Sequence, residues 1–146
     1  MVLDLLAPLL DKLLPALARK WLRPLHVEVS HLSYEDMRTR PGDPFVILSP
    51  WPKRYRVRMR VKNRTREVVF VERVTLTGPS PAGPKQPTSW EPLRLEPGQP
   101  KEVDACFPLD ANENPPQTGE FTIEVVPSVG RTTRLVVGFP FVQGQA

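Results

Sequence analysis

This chain of 146 residues has one cysteine and two histidines. A lone Cys106 excludes an intrachain disulfide, and a reducing compartment fits it. No cysteine–histidine cluster has the spacing of a metal site. His26 and His31 stand five apart on a strand-like run, so simple alternation sends them to opposite faces. Glycine-rich phosphate cradles and nucleophile elbows are missing. Cys106 shares the outward parity of Glu102 and Asp104, poor company for a nucleophilic thiolate. The reading is therefore not an enzyme, with no cofactor, no metal and no small-molecule substrate. Charges interrupt every apolar stretch well before about 20 residues, which excludes a transmembrane helix. The opening segment lacks the basic stretch of a secretory signal. A cytoplasmic protein is expected, with peripheral contact to a membrane as the alternative.

Other residues are in excess. Prolines number 19, and they fall mostly between strand-like runs, as stiff loops would place them. Basic side chains are mostly arginine and asparagine is scarce, a bias that suits a GC-rich genome or a hot habitat. The net charge of +4 and pI near 9.6 permit an anionic partner without requiring one.

Nine of the 21 residues in "VLDLLAPLLDKLLPALARKWL", positions 2–22, are leucine. On a wheel of 100° per residue, Leu3, Leu6, Leu9, Leu10, Leu13, Leu14, Leu17 and Trp21 share one broad face. Asp4, Pro8, Asp11, Lys12, Pro15 and Arg19 share the other. Residues 1–23 are thus expected to form an amphipathic helix in front of a second unit, 24–146. Three seats suit such a helix: its own domain, a second copy or other partner, or a membrane interface. Interfacial helices favour lysine and arginine on the polar face, and here acids share it.

From Leu25 the period changes to two. "LHVEVSHLS" (25–33) puts Leu25, Val27 and Val29 on one side and His26, Glu28 and Ser30 on the other. "RYRVRMRVK" (54–62) alternates without a fault. "VVFVERVTLT" (68–77) falters at Glu72–Arg73, which predicts a β-bulge. Leu93 and Leu95, "KEVDACF" (101–107), "EFTIEVV" (120–126) and "TRLVVGF" (133–139) complete about seven strands with no second helical pattern. Such an order predicts antiparallel pairing in a mainly β, two-sheet sandwich.

"VRMRVKNRTREVVFVERVTL" resembles the second and third strands of bacterial immunoglobulin-like or fibronectin-III-like domains. "LRLEPGQPKEVDACFPL" resembles their later L-x-P-G corner and the strand after it. The resemblance covers roughly residues 25–140 and implies a fold type, without the disulfide and core tryptophan of antibody domains. It implies that the second strand lies between the first and the fifth, and that modules of this kind serve in adhesion, spacing or docking.

Arg54, Arg56, Arg58, Arg60 and Lys62 form a comb of cations about 6.6–7 Å apart on one strand face. It is a candidate anion-binding surface. Set against that, Glu28, Glu102 and Asp104 on the neighbouring strands of the implied topology would neutralise it. No aromatic shares that face to stack a base, so nucleic acid is disfavoured. Trp51 and Trp90 sit in proline-flanked loops, either as contacts or as plugs for an open end of the sandwich. "NRT" (63–65) fits a glycosylation sequon and reads as a turn; the acidic "LDANENPP" (109–116) lacks the spaced ligands of a calcium loop.

The sequence predicts a non-catalytic interaction or assembly module that associates with itself or a protein partner. Leu3, Leu6, Leu10, Leu13, Leu17 and Trp21 are its contact face. The alternative is a peripheral membrane or anionic-surface binder that uses the helix and the basic strand 54–62. A sandwich fills its core from its own sheets, and each wet leucine forgoes about 1.5–3 kcal/mol.

Overall fold

The computed structural model describes residues 22–36, 53–79, 83–110 and 113–141. Residues 1–21 of the expected 1–23 helix, with Leu3, Leu6, Leu10, Leu13, Leu17 and Trp21, and the loop residue Trp51 lie outside the described residues, while Leu22 and Arg23 are described and are not helical. Seven strands follow: β1 (Leu25–Asp36), β2 (Lys53–Asn63), β3 (Val69–Thr77), β4 (Leu93–Leu95), β5 (Pro100–Pro108), β6 (Gly119–Pro127) and β7 (Thr133–Phe139). They form two antiparallel sheets, ordered β1-β2-β5 and β4-β3-β6-β7. The second strand lies between the first and the fifth, as the resemblance implies.

Alternation dictates the packing. Tyr55, Val57, Met59 and Val61 of β2 are buried, as are Phe121, Ile123 and Val125 of β6. All seven strands contribute to one apolar cluster. Aromatic edges tie the sheets together. Tyr55 of the first sheet meets Phe121 of the second at 5.0 Å between ring centroids, and Phe121 meets Phe139 at 5.7 Å. Such pairs add about 0.5–1.5 kcal/mol beyond the area they bury.

Two bulges break the period. The pairing of β3 with β6 shifts between Val71 and Arg73, where the sequence predicts it. The second bulge is a correction. The pairing of β1 with β2 shifts between Val29 and His31, leaving Ser30 as the extra residue. Leu32 therefore turns inward and is buried, and His31 turns outward. His26 and His31 thus lie on the same outer face, opposite Lys62 and Arg58. The strand also runs three residues beyond the predicted end at Ser33.

Asn63 closes the core at one end. It is fully buried, and every polar atom of its amide is used. Nδ2 donates to the carbonyls of Glu67 (2.7 Å) and Leu95 (3.1 Å). Oδ1 accepts from the Thr65 N–H (2.9 Å) and hydroxyl (2.7 Å). Its own carbonyl accepts from Gly98 N–H at 2.8 Å. Asn63 therefore joins the β2–β3 turn to the turn after β4. Its burial leaves no room for a glycan, in keeping with the sequence reading of "NRT" as a turn. The second turn, Glu96–Gln99, carries proline then glycine at its centre, with Gly98 at φ 72° and Gln99 N–H on the Glu96 carbonyl. This is the type II geometry, in which glycine alone is unstrained.

Asn63→Ala strands the Leu95 carbonyl and the Thr65 N–H inside the protein. It is expected to cost about 2–4 kcal/mol in urea unfolding. Gly98→Ala should cost about 1 kcal/mol by the same measurement.

Candidate functional site

The comb lies on the outer face of the first sheet, as its parity requires. Arg56 and Arg54 are half-buried, while Arg58, Arg60 and Lys62 are exposed. Its neighbours supply four acids in register. Glu28 and Glu102 face Arg60, Asp104 faces Arg58, and Glu35 faces Arg54. Glu35 is the residue that sequence reasoning missed. It reaches the outer face only because the Ser30 bulge switches the parity of β1. The signal was present: after Leu25, Val27 and Val29, the next apolar positions are Leu32 and Tyr34, on the other parity.

The charges form an alternating chain across three strands. Arg54 Nε donates to Glu35 at 2.9 Å. Arg56 donates to Glu35 at 3.5 Å and grips Asp104 with two nitrogens, Nε reaching both oxygens at 3.0 and 3.1 Å. Arg58 Nε stands 3.4 Å from Asp104. Glu28 turns instead to His26, whose Nε2 is 3.0 Å away. Among the described residues Arg60 and Lys62 carry no ion pair. Five cations against four acids leave a surplus of one. The geometry is that of a solvated, cross-strand neutralised face, which weakens the comb as an anion site.

The same network shifts two carboxyls. Burial pushes Glu35 up, but hydrogen bonds and charge from Arg54 and then Arg56 outweigh it and hold the group below its ordinary 4.5. Hydrogen bonding from Arg56 holds Asp104 below its ordinary 3.8, against a smaller upward push from burial.

Trp90 is half-buried and packs against the core. Its Nε1–H donates to the Val71 carbonyl at 3.2 Å, beside the β3 bulge. The loop that carries it is a strap. Lys85 bridges to Leu76 of β3, and Thr88 N–H then donates to the Cys106 carbonyl of β5, in the other sheet. The indole thus serves its own domain along this flank.

Catalytic geometry is sparse. Among the described residues no group of three or more His, Cys, Asp or Glu is gathered for a metal ion. The cavity beside Tyr55, Glu113 and Phe121 measures only about 10 Å³, room for a single water. Burial, aided by the charge of Glu113, pushes the Tyr55 hydroxyl up to about 12, so it stays neutral. No described helix is long and apolar enough to cross a membrane.

Glu35 and Asp104 have folded-state values below their unfolded ones. Their stabilisation is present above the ordinary carboxylate range and is lost as pH falls through the depressed values. Asp104 is 41% exposed, so its share is small, under about 1 kcal/mol. Urea midpoints should fall between pH 6 and about pH 3, and less so in Asp104→Asn; an equal fall in both proteins would remove Asp104 from this role. The chain matches no protein-family model, and no curated protein is detectably similar to it in sequence.

Proposed function

We propose that the chain is an immunoglobulin-like, non-catalytic interaction module that self-associates or docks on a protein partner through its leucine-faced N-terminal segment. One observation carries this reading. All seven strands fill a common core, and among the described residues no buried side-chain polar atom lacks a partner. A domain that satisfies itself in this way leaves nine leucines in residues 2–22 as surplus apolar surface.

The attachment point supports it. Leu22, Val129 and Val136 are the exposed large hydrophobics among the described residues. The Leu22 carbonyl accepts from Arg131 N–H at 2.8 Å, which ties the start of the described chain to the β6–β7 hairpin carrying the other two. The leucine-rich segment therefore joins the domain at the β6–β7 turn.

Light scattering on the intact protein should show a dimer or larger species. Replacing Leu6, Leu10 and Leu13 by glutamine should weaken association at least about 100-fold while leaving the unfolding transition in place. An intact protein that stays monomeric at high concentration overturns self-association, and a binding partner indifferent to the same substitutions overturns docking.

A further inference from the structure

We propose that the Lys85–Glu113 ion pair is a latch that makes the strap after β3 and the connection between β5 and β6 open together, as one unit separate from the rest of the sandwich. The proposal goes beyond the association reading and does not rest on it.

The pair joins two connections at one end of the sandwich. Lys85 Nζ donates to Glu113 Oε1 at 2.8 Å and stands 2.8 Å from Oε2 as well. Both side chains are only 15% exposed, against 26–54% for the pairs of the comb. Backbone bonds hold each partner in place. Lys85 N–H donates to the Leu76 carbonyl at 2.7 Å and its own carbonyl accepts from Leu76 N–H at 3.0 Å. Glu113 N–H donates to the Asp110 carbonyl at 3.0 Å. Further along the strap, Thr88 N–H reaches the Cys106 carbonyl of β5 at 3.1 Å.

Tyr55 and Phe121, the aromatic pair that ties the two sheets, line the same small cavity as Lys85 and Glu113. The two connections also abut away from the charges. A Cβ on Gly119, where β6 begins, would fall 2.8 Å from Pro79 Cγ in the loop that becomes the strap.

Charges this far from solvent are weakly screened, and each becomes costly when its partner leaves. Lifting either loop alone breaks the pair and leaves one charge beside the core aromatics. Once the pair is broken the second loop has lost the same tie, so the two lift together. The opened unit bares Tyr55 and Phe121 and frees the Cys106 carbonyl of β5. Asn63, at the other end of β2, keeps its own amide network closed.

Native-state hydrogen exchange on the intact protein, followed over a series of low urea concentrations, tests this. The amides of Lys85, Thr88 and Glu113 should exchange through one opening, with a common urea dependence. Glu113→Gln is read in the other loop and should speed Lys85 and Thr88 at least about tenfold, and Lys85→Met should speed Glu113 by a similar factor. The double variant, which leaves neither charge alone, should speed them by no more than the larger single effect. Thr65 and Gly98, at the Asn63 end, should change by less than about twofold in every variant. The proposal fails if the strap and Glu113 open with different urea dependences, if the single effects add in the double variant, or if Thr65 and Gly98 accelerate as much as the latch residues. Should a lone charge unfold a single variant, the double decides, and strap amides that exchange at the parent's rate overturn the latch.

Discussion

Tyr55, Val57, Met59, Val61 and Asn63 point into the core from one central strand, and the residues that alternate with them are Arg54, Arg56, Arg58, Arg60 and Lys62. A slip of one residue would exchange the two sets. It would bury five cations, each at a desolvation cost of several kcal/mol. No other described strand is so intolerant of the wrong face. With β2 held, β1 and β5 must pair on either side of it, and their apolar residues must face the second sheet. Asn63 then ends the strand inside the protein, and its amide decides where the following turns lie.

Much of this was legible in the sequence because period two is a local signal. All seven strands fall where alternation puts them, and the faltering parity at Glu72–Arg73 marks a real bulge. The bulge at Ser30 was equally visible in principle. The run "LHVEV" sets a parity that, carried on to Leu32 and Tyr34, places His31 on the wrong face and hides Glu35, the partner of Arg54. Trp90 was ambiguous for a different reason. Whether a loop indole faces inward depends on where the loop crosses, and that follows from contacts with β3 and β5 distant in sequence.

The comb was easy to find because its cations are consecutive on one strand, yet consecutive strand residues also acquire consecutive neighbours. Acids on β1 and β5 meet it in register, and most of its charge is spent within the sheet.

The strap from Lys85 to Trp90 has one more effect. By taking the Cys106 carbonyl it occupies one position on the outer edge of β5, and Lys101 Nζ likewise takes the Arg94 carbonyl of the three-residue β4. Each such bond removes one acceptor that a strand of a second molecule would need in order to pair at that position.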